Sequence, residues 1–94
     1  MIRVVIERRL AQDGEDLIHH TMRDLRRDAI HQPGYVSGET LRDTADPNHF
    51  LILSTWRTRE DWETWANSVR RREIEDQIGQ MLAEPERITV CELV

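Results

Sequence analysis

The chain of 94 residues has no lysine, a single cysteine and no long hydrophobic run. Without lysine a Schiff-base mechanism is excluded, because that chemistry needs an amine and a guanidinium stays protonated. One cysteine cannot form an internal disulfide, which favours a reducing compartment. No apolar segment approaches the roughly 20 residues that a membrane-spanning helix requires, and the charged N-terminal residues are not typical of a signal peptide. We therefore expect a cytoplasmic protein with no membrane partner.

The charge balance is acidic, with 18 acidic against 13 basic residues and a net charge of −5. Binding to nucleic acid needs concentrated positive charge. The only basic run, residues 70–72, is followed at once by Glu73, Glu75 and Asp76, which is typical of a solvated helix surface. The sequence therefore predicts that nucleic acid is not a partner.

Apolar periodicity and turn residues predict four strands and two helical stretches. The strands cover residues 2–9, 35–42, 49–56 and 87–94, and the helical stretches cover 15–31 and 58–84, with a bend near Asn67 and Ser68. A turn centred on Asp13 and Gly14 precedes the first stretch, and Pro85 ends the second. The order β-α-β-β-α-β predicts an α+β ferredoxin-like domain over residues 1–94, with both helical stretches on one face of an antiparallel sheet.

The strands are apolar on both faces. In the third strand Phe50 and Ile52 point one way, whereas Leu51 and Leu53 point the other. Helices cover only one face of such a sheet, so the other apolar face needs a cover. A second copy of the same sheet is the simplest cover, and we therefore predict a homodimer that forms through the sheet face.

Four of the five aromatic Phe, Trp and Tyr residues lie between Phe50 and Trp65, at one strand-helix junction. One interpretation is that Trp56, Trp62 and Trp65 simply anchor the core. The other is an apolar cleft between sheet and helices, with Trp65 as a wall and Arg8 as a polar anchor, because Arg8 has the parity of the core-facing positions in its strand. Such a cleft would suit a flat aromatic or phenolic molecule.

No spacing in the chain selects a metal site or a nucleophile. His19 and His20 are adjacent on a helix, so their side chains diverge by about 100° and cannot chelate one metal. His49 follows a turn, which favours solvent exposure. The strand glutamates Glu7, Glu39 and Glu92 are candidates for a general base, and no pattern chooses among them.

Three segments carry a resemblance: GYVSGETLRD at 34–43, FLILSTW at 50–56 and DWETWANS at 61–68. They resemble the antibiotic biosynthesis monooxygenase family. That resemblance implies a dimeric α+β barrel. It also implies one of several functions, since the family includes cofactor-free oxygenases of quinols and polycyclic phenols, haem-degrading enzymes and members without known activity.

The haem-degrading branch of that family is matched in part. Its pocket tryptophan corresponds to Trp65, but its first-strand asparagine falls on Arg8 and its iron-ligating histidine falls on or near Glu75. A carboxylate is a poor substitute for an axial imidazole. The resemblance therefore implies that no cofactor is needed and disfavours haem.

The resulting prediction is a cofactor-independent monooxygenase-like protein acting on a small aromatic or quinol-type substrate. Arg8, Trp62, Trp65 and Glu75 are the predicted pocket residues, and Arg8 and Trp65 are the candidates for a catalytic role. In this hypothesis Arg8 is the cation beside a substrate anion. The alternatives are a haem-binding or haem-degrading monooxygenase, a barrel that binds a ligand without turnover, and an isomerase-type enzyme of the same architecture.

Overall fold

The computed structural model describes residues 1–11 and 15–94. Its strands are β1 (Ile2–Arg9), β2 (Tyr35–Arg42), β3 (His49–Trp56) and β4 (Arg87–Glu92), and its helices are α1 (Glu15–Ala29), α2 (Arg59–Ala66) and α3 (Val69–Gly79). The predicted turn at Asp13 and Gly14 lies outside the described residues.

The four strands form one antiparallel sheet in the order β2-β3-β1-β4. Val4, at the middle of β1, pairs with Ser54 of β3 on one side and with Val90 of β4 on the other. This order and the helices confirm the predicted α+β ferredoxin-like fold. Because side chains alternate along a strand, β1 turns Ile2, Val4, Ile6 and Arg8 towards the helices.

The core lies between the helices and that face of the sheet. Buried apolar side chains come from β1, β3 and all three helices: Ile2, Val4, Ile6, Leu10, Ile18, Leu25, Phe50, Trp56, Trp62, Trp65, Ile74 and Ile78. The helical spacing of the sequence predicts a buried stripe of Leu17, Thr21, Met22, Leu25 and Ala29 in α1. Thr21 and Leu25 are buried, Met22 and Ala29 pack against the core, and the side chain of Leu17 lies outside the described part of the structure. The prediction omitted Ile18, which is 1% exposed. The first helix therefore packs through a slightly different stripe than the one predicted.

The second helical stretch is two helices, where the sequence predicted one bent helix. The side-chain amide of Asn67 donates to the Glu63 carbonyl at the end of α2. The Ser68 hydroxyl then accepts from the Arg71 backbone N–H (3.2 Å), which starts α3. These caps satisfy backbone groups that a helix end leaves without partners, so the chain changes direction at this point.

Three predicted boundaries were also wrong. The first helix ends at Ala29 and not at residue 31. The second helical stretch ends at Gly79 and not at residue 84, because the chain turns back to the sheet edge, where Leu82 bridges to Leu10 and the Ala83 N–H donates to the Arg9 carbonyl (2.8 Å). The last strand ends at Glu92, two residues earlier than predicted.

The opposite face of the sheet has no helix against it in the described chain. Val5, Leu51 and Leu53 lie there half-buried, and Leu41 beside them is exposed. Charged side chains, among them Glu7, surround this apolar strip. No helix in the described part of the chain is long and apolar enough to cross a membrane.

Candidate functional site

A cavity of about 60 Å³ lies between the helix-facing side of the sheet and the helices. Its walls come from β1, β2, β3 and all three helices, and include Ile6, Met22, Tyr35, Thr40, Ile52 and Trp56. Ligand pockets are commonly larger, roughly 300–1,000 Å³. The size therefore favours a ligand of one aromatic ring over a polycyclic one.

The aromatic side chains serve the core and the cavity together. Trp56 meets Tyr35 edge-on (centroids 5.3 Å apart, planes at 87°) and Trp62 at 5.8 Å. Trp56, Trp62 and Trp65 are all buried in the core and all line the cavity. The Trp56 indole N–H donates to Ser54 Oγ (2.9 Å), so this ring is held in place. The two interpretations of the tryptophans are thus compatible.

Arg8 lies at the cavity wall, 2% exposed, and is tightly paired. Its Nη2 donates to Glu75 Oε1 (2.8 Å) and its Nε donates to Glu86 Oε2 (2.9 Å). Such short, charge-assisted hydrogen bonds are among the strong ones in proteins. Arg8 is therefore paired within the protein, and it connects β1 to α3 and to the segment before β4.

The two carboxyl groups have opposite pKa shifts. Burial, helped by a hydrogen bond with Glu86, raises the pKa of Glu75 to about 7. Burial alone would also raise the pKa of Glu86, but the hydrogen bond from Glu75 and the charges of Arg8 and Arg71 lower it overall. Near neutral pH Glu86 is ionised, while Glu75 is partly protonated.

Arg71 is the second buried arginine of this group, and the sequence analysis missed it. Its guanidinium carbon lies 5.2 Å from the centre of the Trp62 ring, and the residue lines the cavity. The pattern at 70–72 indicated a solvated helix surface, which is correct for the exposed Arg70 and Arg72 but wrong for Arg71. The only local signal was Ser68, because a cap there sets which position of the run turns inward.

Three of the four predicted pocket residues line the cavity, and the fourth lies next to it. Arg8, Trp62 and Trp65 line the cavity, whereas Glu75 lies behind Arg8 and is not among the lining residues. Of the candidate bases, Glu39 borders the cavity, but it pairs with Leu53 of β3, so its side chain lies on the open face of the sheet. Glu7 pairs with Leu51 and lies on that same face, so neither carboxylate is directed into the cavity.

Glu7 instead belongs to a second ionic group, at the edge of the open sheet face. His49 Nε2 lies 2.7 Å from Glu7 Oε1, and His49 Nδ1 lies 2.9 Å from Asp43 Oδ2. The expectation that His49 is exposed was wrong, since its side chain is only 13% exposed. Hydrogen bonds to Asp43 and then Glu7 raise the His49 pKa. Among the described residues no group of three or more His, Cys, Asp or Glu side chains has the arrangement of a metal site.

A ferredoxin-like sheet with an aromatic-walled cavity under its helices defines the general class of this protein, an α+β domain with a cavity between its sheet and its helices. The family model for antibiotic biosynthesis monooxygenases matches residues 1–77. The chain belongs to that family, as the resemblance predicted. No sequence among the curated proteins matches the chain.

Solved structures share the fold along nearly the whole chain. A crystal structure of an antibiotic biosynthesis monooxygenase has a TM-score of 0.92 at 16% identity, covering 100% of this chain and 99% of the other. SnoaB from Streptomyces nogalater, a cofactor-independent oxygenase, has a TM-score of 0.85 at 10% identity, covering 98% and 92%. A conserved protein from Methanosarcina mazei Go1 has a TM-score of 0.88 at 16% identity, covering 95% and 88%. At such identities these likenesses establish the fold alone.

Proposed function

We propose that this protein is a cofactor-independent monooxygenase that acts on a small phenol or quinol bound in the cavity. The observation that carries the proposal is the cavity itself, in which Trp62 and Trp65 face a buried arginine pair in a member of the monooxygenase family. Aromatic walls suit a flat ring, and buried cations suit an oxygen anion. The likeness to the cofactor-independent oxygenase SnoaB supports the same reaction class.

The proposed chemistry needs only the substrate and O₂. A phenol gives up its hydroxyl proton to a base, and the electron-rich ring carbon of the phenolate reacts with O₂. One oxygen atom replaces the hydrogen of that C–H bond as a new carbonyl, and the other leaves as water, so phenol plus O₂ gives benzoquinone plus water. The phenol supplies all four electrons.

Haem does not fit these residues. The cavity of about 60 Å³ is far smaller than a porphyrin. Glu75, at the position where the haem-degrading branch has its histidine, is bonded to Arg8 and lies outside the cavity wall. A carboxylate in that state is a poor axial ligand, so we derive no step through haem.

Oxygen uptake is the direct test. The purified protein, without added cofactor, is mixed with phenol in an oxygen electrode cell while quinone formation is followed by absorbance. We expect one O₂ consumed per quinone formed, and a rate lowered about tenfold or more in Trp65→Phe. The matched control is Val69→Ala, which changes a residue that is 72% exposed and not among those that line the cavity. Quinone formation at the rate of buffer alone would contradict the proposal.

A ligand-binding protein without turnover is the second candidate, because the same cavity would serve it. In that case phenols bind and quench tryptophan fluorescence, but no oxygen is consumed. Loss of substrate without oxygen uptake would instead identify an isomerase or another decomposing enzyme.

We also propose that two copies pair through the open face of the sheet. The support is the strip of Val5, Leu51 and Leu53, which no described helix covers, and the family to which the chain belongs. A surface of this kind on an isolated sheet is typical of an interface. Light scattering at micromolar concentration should give the mass of a dimer.

A further inference from the structure

Arg71 is buried without a full set of hydrogen-bond partners. It is 6% exposed, yet its Nε and Nη2 atoms have no hydrogen-bond acceptor. Nη2 lies 3.2 Å from Glu75 Oε1 and 3.7 Å from Glu86 Oε1, so it forms ion pairs with both carboxyl groups, but it makes a hydrogen bond to neither. Buried donors are nearly always satisfied in native proteins. Two unused donors on a buried guanidinium beside a cavity therefore indicate an acceptor that is supplied from outside the chain.

The neighbouring Arg8 provides the contrast. It donates from Nε to Glu86 and from Nη2 to Glu75, both at under 3 Å. Both arginines line the same cavity, and the two carboxylates are aligned with only one of them. Arg8 thus links β1 to α3 and to the segment before β4, whereas Arg71 retains donors for a ligand.

The position of Arg71 in α3 does not favour a purely structural role. Ser68 caps the helix, so Arg71 lies in its first turn, which contains no acidic residue. Backbone N–H groups make that end of a helix positive, so a cation there is unfavourable. Glutamate, which would complete a capping box three residues after the serine, is the residue that helix stability alone would favour.

The net charge of this ionic group, which consists of Arg8, Arg71, Glu75 and Glu86, also favours the binding of an anion. Arg8 and Arg71 carry two positive charges, and Glu86 carries one negative charge. Glu75 has its pKa raised to about 7 by burial and by its hydrogen bond with Glu86, so near neutral pH it supplies less than a full negative charge. The described members of the group therefore sum to a net positive charge.

We propose that the cavity binds an aromatic oxyanion, a phenolate or an aromatic carboxylate, and that Arg71 is the residue that binds its oxygen. Trp62, on which the guanidinium stacks, fixes the direction of the cation and forms one wall for the ring. The inference rests on the proposed function in that it concerns the same cavity, and it identifies the ionised phenol as the form that binds. Arg8 is then a positioning residue and not the partner of the anion.

The test compares benzoate with benzamide, which has nearly the same shape but no charge. Calorimetric titration of the wild-type protein at pH 7 should show benzoate binding about tenfold or more tightly than benzamide, as expected for hydrogen bonds to a charged group. Arg71→Met keeps an unbranched apolar stem but removes the guanidinium, and it should abolish that preference. The matched control is Arg70→Met, which removes the adjacent exposed arginine and should leave the preference unchanged.

Equal affinities for the two probes in the wild type, or no detectable benzoate binding at millimolar concentration, would overturn the inference. So would an unchanged preference in a folded Arg71→Met protein. Should that variant fail to fold, Arg71→Lys decides: a compact ammonium lacks the reach and fork of the guanidinium, so the preference should fall by about threefold or more. An unchanged preference in Arg71→Lys would refute the assignment.

Oxygen uptake separates this inference from the proposed function. Benzoate binding that depends on Arg71, together with no oxygen consumption from phenols, would refute the oxygenase and support the anion site. Oxygen uptake from phenol at the wild-type rate in Arg71→Met would support the oxygenase and refute the anion site.

Discussion

At the scale of single residues, the ionic group around Arg8 combines one well-satisfied arginine with a carboxyl that is reluctant to ionise. Removing a partner from a buried ion pair is far more costly than the pair is favourable, because it leaves an uncompensated charge. Burial of an ionised carboxylate is itself unfavourable, and Glu75 avoids part of that cost because it is partly protonated near neutral pH. The group is therefore sensitive to pH in the range where the protein is expected to work.

The direction of that sensitivity follows from the pKa of Glu75, which is about 7 in the folded protein against an ordinary value of 4.5. Between these values the folded state holds more protons than the unfolded one. Stability therefore falls as pH rises from about 4.5 through 7. His49, whose pKa is also raised, adds to the same trend, because its contribution is complete below its ordinary pKa and is lost as pH rises through its folded pKa.

Glu75→Gln should remove the part of the pH dependence of stability that comes from Glu75. Glutamine mimics the protonated carboxyl, since it has an oxygen to accept from Arg8 and an N–H to donate to Glu86. We expect the variant to match the wild type near pH 5 and to exceed it by about 1–3 kcal/mol at pH 8.5, as judged from urea unfolding at fixed protein concentration.

Glu73→Gln, an exposed change on the same helix, is the control and should keep the wild-type slope. Parallel pH profiles for the wild type and Glu75→Gln would show that Glu75 is ionised throughout the range. The positive charge that we assign to the arginine group at neutral pH would then be wrong.

At the scale of the elements, the break between α2 and α3 places Arg71 where it is. A helix that ran on through Asn67 and Ser68 without a break would place the positions after Ser68 on other faces. Asn67 ends α2 through its bond to the Glu63 carbonyl, and Ser68 starts α3. The two short polar side chains therefore set the direction of the third helix.

Ser68→Ala and Thr58→Ala form a matched pair, because each removes the hydroxyl that caps a helix, α3 and α2 respectively. Each change should lower the free energy of unfolding by about 1 kcal/mol. Only Ser68→Ala should also weaken benzoate binding, since its hydroxyl accepts from the backbone N–H of Arg71. Equal benzoate affinity in both variants would mean that the α3 cap does not position the arginine.

The glycine at the start of β2 shows a further local requirement. Gly34 has a φ of 85°, which side-chain-bearing residues rarely adopt, and a Cβ there would collide with the side chain of Asp61. Its carbonyl accepts from the Arg57 N–H (2.8 Å). The turn after α1 is thus fastened to the end of β3, next to the aromatic wall of the cavity.

At the scale of the whole molecule, the sheet separates two ionic groups. The buried Arg8 group lies among the helices, whereas His49 with Glu7 and Asp43 lies at the edge of the open face. If two sheets pair as we propose, the apolar strip of Val5, Leu51 and Leu53 becomes the centre of the interface. The polar groups then form its rim, which is the usual arrangement of such interfaces.

Leu51→Asp should separate the proposed dimer. Leu51 is half-buried on the open face, opposite Glu7 of β1 and Leu41 of β2, and it is not among the residues that line the cavity. An unpaired charge at the centre of an interface is strongly unfavourable. We expect the dissociation constant to rise about 100-fold or more, so that light scattering at micromolar concentration gives the monomer mass.

Val69→Asp introduces the same charge on the exposed side of α3 and is the matched control. It should remain dimeric. A wild-type protein that is monomeric at micromolar concentration would refute the interface outright, and a dimeric Leu51→Asp protein would place the contact elsewhere on the surface.

The fold was largely predictable from the sequence because local periodicity and turn residues dictate it. The bounds of β1, β2 and β3 were predicted to the residue, and the parity of β1 correctly placed Arg8 towards the helices. The strand-helix junction likewise identified the tryptophans that wall the cavity. Each of these features depends on residues close together in the chain, so a pattern can reveal it.

The tertiary structure alone decided how the charges pair. Arg8 and Glu75 were both predicted at the site, but Glu86 joins them from a distant part of the chain, and Arg71 was hidden in an exposed basic run. Whether an arginine is satisfied by its own protein or keeps donors for a ligand depends on distances and angles between separate elements. The sequence determined the frame and the aromatic walls, whereas the packing of α3 on β1 determined which cation faces the cavity with unused donors.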